Sequence, residues 1–228
     1  IAILEGLIKE SRSPDDTIST RLAIARIQMQ RENFDEALRI CRELEKEFPA
    51  SPQAPYIRYI LATVLSQKGD IEEFEKSMLA LIRDSKELRG EFLATLHNDL
   101  GYTWAEHEKN LDQAEIMIRK ALDAKPDEPA YLDSLGWVYF KQERYEQAIE
   151  SLRKATESPK GQDAVIYDHL GDAYLKVQKT EDARRAWERA QELLVDNQTS
   201  KARQQRENIE KKLKLLLDST ENRSTPNS

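Results

Sequence analysis

The sequence predicts an all-α solenoid, a stack of helix-turn-helix repeats with a closing helix at the C-terminal end. Three observations lead there. Leu-Gly recurs as Leu100-Gly101, Leu135-Gly136 and Leu170-Gly171, each thirty-five residues from the last. Alanine pairs seven residues apart, Ala114/Ala121, Ala148/Ala155 and Ala183/Ala190, keep nearly the same step. Seven residues is about two helical turns, so each pair lies on one helix face. Finally, the 228 residues include only seven Gly and eight Pro, and no segment alternates with period two, so strands and hairpins have little support.

The stretch from Tyr131 to Ala155 shows the unit most clearly. Leu132, Leu135, Gly136 and Tyr139 recur at helical spacings of three and four; after Gln142-Glu143-Arg144, Tyr145, Ala148, Leu152 and Ala155 do the same. Small residues at Gly136, Ala148 and Ala155 sit where neighbouring helices approach closely, so Gly136→Leu is expected to cost about 1–3 kcal/mol by overpacking. This pattern resembles the tetratricopeptide repeat (TPR), with its Leu-Gly-x-x-Tyr core followed by spaced Ala and bulky positions. The resemblance implies a right-handed superhelix whose concave face is lined by the first helix of each repeat. It assigns packing roles to Leu100, Gly101, Ala114, Ala121, Leu135, Gly136, Tyr139, Ala148, Ala155, Leu170, Gly171, Ala183 and Ala190.

Taken in order, residues 1–12 carry Ile1, Leu4, Leu7 and Ile8 and read as the end of a truncated repeat, as in a fragment of a longer protein. Ser13-Pro14-Asp15-Asp16 is a helix-start signal. Five repeats occupy 13–196, at about 18–50, 55–84, 94–126, 129–159 and 164–194. In the first, Ala25 takes the family's Gly position and Cys41 a bulky apolar slot, as a buried small hydrophobe. The second is divergent, with Phe74 where Ala is usual, and Asp84–Glu91 is a long connection. In the third, the turn His107-Glu108-Lys109-Asn110 is one residue longer than its counterparts. Residues 197–217 leave the repeat but keep an apolar stripe of Ala202, Ile209, Leu213 and Leu216 among many Lys and Arg, as expected of a cap. Its basic residues, Lys211 and Lys212 among them, are expected on a solvated face. Residues 218–228 are expected to be a disordered tail.

Composition bounds the function. Charged residues make up 34% and the formal net charge is −7, a balance that disfavours nonspecific nucleic-acid binding. No apolar run is long enough to span a bilayer. The single cysteine excludes an internal disulfide. No HExxH, paired-Cys, phosphate-loop or GxSxG motif is present; catalytic residues, metal and cofactor are therefore all expected to be none. His97 is expected in a core slot, His107 in a turn, and His169 beside Asp168 and Asp172.

The resemblance places partner contacts on the non-core positions of the first helices. These are Asn98, Asp133 and Asp168; one turn on, Tyr102, Trp137 and Asp172; then Phe140, Lys141 and Lys176. Arg26, Met29, Tyr56, Tyr59 and Thr63 extend the row toward the N-terminus. Trp137 and Phe140 are expected either to anchor an apolar group of a ligand or to pack between repeats. The carboxylates disfavour the chaperone-tail clamps of some TPR domains. Residues 92–192 look like the C-terminal repeats of large bacterial TPR proteins, some of them cell-envelope lipoproteins acting as adaptors. That resemblance implies a periplasmic-side location, with cytoplasm as the alternative. The expected function is a non-catalytic scaffold for a protein or peptide. The alternatives are a structural spacer or self-association module, or an accessory domain of an enzyme whose catalytic part lies upstream.

Overall fold

Short helices dominate the chain: the second helix of each pair has one narrow apolar stripe and a polar remainder, while the first helices are buried on more than one side. The computed structural model describes residues 13–84 and 90–224, with side chains through 218. Among the described residues are eleven α-helices, one short 3-10 turn at Pro159–Gly161, and no strand. Ten helices form successive pairs: α1 (Pro14–Gln30) with α2 (Phe34–Glu47), α3 (Ala54–Lys68) with α4 (Ile71–Asp84), α5 (Glu91–Glu106) with α6 (Leu111–Ala124), α7 (Pro129–Lys141) with α8 (Tyr145–Thr156), and α9 (Ala164–Lys176) with α10 (Thr180–Leu194). A longer helix, α11 (Ser200–Ser224), follows. The fold is the expected α-solenoid of helix-turn-helix repeats. It divides into two compact units, Ile1–Leu96 and His97–Ser228, with the division inside α5.

Helix starts follow local chemistry. Ser13 Oγ accepts from the Asp16 N–H at 3.1 Å, and Pro14 occupies the first turn of α1, where its missing N–H costs nothing. α1 therefore begins four residues ahead of the expected repeat boundary. Asp163 caps α9 by accepting from the Val165 N–H at 2.8 Å.

The turn inside every pair is closed by the same bond. The N–H groups of Asn33, Asp70, Lys109, Arg144 and Lys179 donate to the carbonyls of Gln28, Leu65, Trp104, Tyr139 and Tyr174, five residues back in each case, at 2.8–3.0 Å. This six-to-one closure needs the residue before each donor in the left-handed region. Glycine holds that place only at Gly69 (φ 91°); Glu32, Glu108, Glu143 and Gln178 adopt φ of 61°, 53°, 62° and 61°. The longer turn of the third repeat spends its added residue on Asn110, also left-handed at φ 48°.

Second helices bury one face with a three-residue stripe at i, i+4 and i+7: Ala37/Cys41/Leu44, Phe74/Met78/Leu81, Ala114/Ile118/Ala121, Ala148/Leu152/Ala155 and Ala183/Trp187/Ala190. First helices meet these stripes at the Leu-Gly positions. A Cβ added at Gly101 would lie 2.7 Å from Ile118 Cγ1; at Gly136 it would lie 2.6 Å from Leu152 Cγ; at Gly171 it would strike the Trp187 indole. In the first unit Ala25 and Ala62 hold the same slot, both fully buried, so those pairs have room for a methyl group.

The final helix lays Ala202, Ile209 and Leu216 against Trp187, Ala190 and Leu194, which covers the face that α10 would otherwise leave open. It starts at Ser200 and runs to Ser224, so the expected tail is helical as far as that residue. The truncated repeat expected at 1–12, residues 85–89 of the long connection, and 225–228 lie outside the described residues. No described helix is long and apolar enough to cross a membrane.

Candidate functional site

In the second unit the first helices α5, α7 and α9 align their equivalent positions, which brings the expected partner-binding residues together. Their inner row is satisfied within the protein. Asp133 and His169 are both buried, with Asp133 Oδ1 2.9 Å from His169 Nδ1. Burial opposes a charge on His169, but Asp133, with Asp168 and Asp172 beyond it, outweighs that and raises the imidazole pKa. The His169 ring lies flat on Trp137, centroids 4.0 Å apart and planes within 14°. The sequence places His169 only beside Asp168 and Asp172; its partner in the fold is one repeat back. The physical reason is the thirty-six-residue offset, which sets His169 next to Asp133 on the preceding first helix.

Trp137 continues the column outward. It stacks on Phe140 at 4.9 Å and 4°, and Phe140 meets Tyr145 edge-on at 5.6 Å. The Trp137 indole N–H donates to Glu106. Lys141 places its ammonium 4.9 Å above the Trp137 ring and donates to Glu108 Oε1 at 2.9 Å. Lys176 lies 6.0 Å from the Phe140 ring and 5.9 Å from that of Tyr145. Both sequence alternatives for Trp137 and Phe140 therefore have a physical counterpart: they pack between repeats, and both remain only half-buried. Lys176 stands exposed beside them, and Leu175, at the position equivalent to Phe140 one repeat on, is exposed as well. The result is an apolar strip of stacked rings edged by lysines.

Asp168 and Asp172 form a second, charged cluster. The Lys212 ammonium of α11 donates to Asp168 Oδ1 at 2.6 Å and to Asp172 Oδ2 at 2.8 Å, and sits 5.7 Å from the Trp187 ring. Burial opposes the lysine's charge, yet the two carboxylates prevail and raise its pKa. Burial also pushes the Asp172 carboxyl up, against the pull of Lys212. Lys212 thus departs from the solvated position expected for it: its aliphatic stem lets the charged end reach inward from a half-buried site. Two carboxylates one turn apart on an inner face are the signal that could have predicted this cation.

Asn98 is buried. Its Nδ2 donates to Asp99 at 3.3 Å, while its Oδ1 has no partner among the described residues. It lines a shallow depression of about 270 Å³ with Tyr102, Asp133, Ser134 and Asp163. Burial, with Glu106 and Asp133 adding to it, raises the Tyr102 pKa. The first unit carries its own aromatic group: Tyr56, Tyr59 and Phe92 pack with centroids 5.6–6.2 Å apart, and Arg26 lies over Tyr56 at 5.4 Å. Thr63 donates to the Tyr59 carbonyl one turn back at 3.0 Å.

The remaining histidines are apart from this face. His97 is buried in its core slot, where burial lowers its pKa, and His107 lies exposed in the α5–α6 turn. Among the described residues no group of three His, Cys, Asp or Glu is arranged to hold a metal ion.

Comparison with known proteins agrees with this architecture. Residues 22–87 match the family described as tetratricopeptide repeat, and residues 107–190 the family described as anaphase-promoting complex, cyclosome, subunit 3. A TPR repeat-containing protein of Pseudomonas aeruginosa is 29% identical over 147 residues, 64% of this chain. The chain spans about a quarter of that relative's length, 24%. Among solved structures, the APC/C hetero-tetramer Cut9–Hcn1 matches with TM-score 0.75 and 18% identity, over 96% of this chain and 39% of that one. A thermophilic TPR protein of Thermus thermophilus, TTC0263, matches with TM-score 0.67 and 18% identity, over 84% and 98%. MamA from Desulfovibrio magneticus RS-1 matches with TM-score 0.60 and 17% identity, over 79% and 97%. At such identities these structures share the fold.

Proposed function

This chain is a tetratricopeptide-repeat protein, and from that premise we propose that it is a non-catalytic scaffold whose second unit holds a protein or peptide segment along the first-helix face. One observation carries the reading: the half-exposed Trp137–Phe140–Tyr145 strip, stacked into a rigid surface and flanked by Leu175, Lys141 and Lys176. Preorganised aromatic anchors bind with little ordering cost, which is why they dominate the energetics of interfaces. Of the expected contact residues, Trp137, Phe140, Lys141 and Lys176 form the working surface. Asp133 holds the His169 ring that stacks on Trp137, Asn98 and Tyr102 line the depression next to Asp133, and Asp168 and Asp172 hold Lys212.

A photo-crosslinking amino acid at position 175 tests this in cells or lysate. The expected result is one dominant crosslinked species, absent when the same group is placed at exposed Ile116 on α6. Equal crosslinking from both positions, or none from 175, would refute the assignment. A second reading, self-association through the C-terminal end, draws on Val195 and Leu215, which are 61% and 69% exposed. It predicts a dimer in light scattering that Val195→Ser/Leu215→Ser returns to a monomer.

A further inference from the structure

The terminal helix closes the stack with a face that is partly polar. Its buried aliphatics, Ala202, Ile209 and Leu216, recur every seven residues, and half-buried Leu213 widens this seam toward its C-terminal end. The positions between them on the same seam, Gln205 and Lys212, are polar and half-buried; polar residues at such places lower the stability of helix pairing while fixing its register. Arg206 donates to the carbonyl of Leu194 at the end of α10, and to those of Val195 and Asn197 at 3.4 and 3.3 Å, while its buried Nε has no partner among the described residues. Residues 195–199, which join α10 to α11, are all exposed. The helix is therefore tethered by a solvated link and located by two charged contacts, Arg206 on the carbonyls that end α10 and Lys212 on Asp168 and Asp172.

We propose that α11 is a displaceable strap: its Lys212 occupies a lysine subsite formed by Asp168 and Asp172, which a basic helical segment of a partner takes over when it binds. This rests on the scaffold reading above and adds the chemistry of the partner, a helix that presents a lysine and an aliphatic stripe as α11 does. Charge complementarity supports that choice, because displacing Lys212 leaves two partly buried carboxylates one helical turn apart, and an ammonium satisfies both. A strap that is closed most of the time also lowers the partner's apparent affinity by the fraction of open molecules.

A fluorescent peptide with the sequence of residues 199–218 tests the proposal in trans. It is titrated into the full chain and into Lys212→Glu, in which the strap is repelled. Lys212→Met, which keeps the aliphatic stem over Trp187, serves if Glu disturbs folding. The expected result is binding at least about tenfold tighter to the variants than to the parent, weakened by salt and abolished when the peptide itself carries Lys212→Glu. Hydrogen exchange should show faster exchange across 200–218 in the variants, with α7–α9 unchanged. Equal binding to parent and variants, no binding to either, or unchanged protection of α11 would overturn it. Should the strap fail these tests while crosslinking from position 175 still finds a partner, the scaffold reading stands without it.

Discussion

Replacing Asp133 by Asn isolates what the buried Asp133–His169 pair contributes. Asn keeps the shape and one hydrogen bond to His169 but removes the negative charge that outweighs burial. Turning a buried hydrogen bond to a charged group into a neutral one costs about 1 kcal/mol, the difference between the two kinds of bond, and each kcal/mol lowers Tm by about 2–4 °C in a chain of this size. The pH dependence carries the sharper signature. The folded pKa of His169 lies above its ordinary 6.5, so the pair's contribution is complete below about 6.5 and is lost as pH rises through the folded value. His97 is shifted the opposite way, and the Asp172 carboxyl is raised from an ordinary 3.8, so the slope they impose falls on the acid side. Thermal unfolding of parent and Asp133→Asn between pH 6.5 and 9, followed by circular dichroism, should show a slope in the parent that is missing in the variant. Trp137 fluorescence, quenched by the stacked imidazolium, should rise over the same interval in the parent alone. Equal slopes, or a variant as stable as the parent at pH 6.5, would refute the pairing argument.

Four further outcomes follow from the packing. Gly171→Ala drives a methyl group into the Trp187 indole and should destabilise by about 1–3 kcal/mol despite alanine's better helix propensity; Ala62→Gly, in a slot with room, should lose only about 1 kcal/mol. Glu143→Gly relieves a left-handed residue in an exposed turn and should raise stability by about 0.5–1 kcal/mol, the strain being partly offset by glycine's greater freedom when unfolded. Burial pushes the Cys41 thiol up to about 12, so a thiol reagent at pH 8 should react with it at the rate of unfolding, not at that of an exposed thiol.

The fold was legible because its packing is local and periodic. Leu135-Gly136 and Ala148/Ala155 meet within one repeat, and the same spacing returns thirty-five residues on. The closing bond of the turns was less visible: left-handed conformation usually advertises itself through Gly or Asn, and here Glu32, Glu108, Glu143 and Gln178 adopt it under pressure from the flanking helices. The candidate site was legible as a set of positions on a common face, but the state of each side chain was not. Asp133 and His169 are thirty-six residues apart, and Lys212 lies forty-four residues beyond Asp168 in a helix outside the repeat. Such pairings depend on the stacking of successive elements, which the pattern within a single repeat does not encode. The carboxylates read as open to a partner are consequently the groups most engaged within the chain, and the aromatic strip carries the exposed area.

Paired affinity capture shows whether the stacked aromatic strip is a protein-binding surface. The full chain and a Phe140→Ser/Lys176→Glu variant, matched in circular dichroism and Tm, are used as baits and the retained proteins are quantified. A specific partner should be held by the parent and reduced at least about tenfold by the variant, the loss expected when central anchors of an interface are removed. Equal recovery of the same partner by both baits would contradict it and move the interaction off this face.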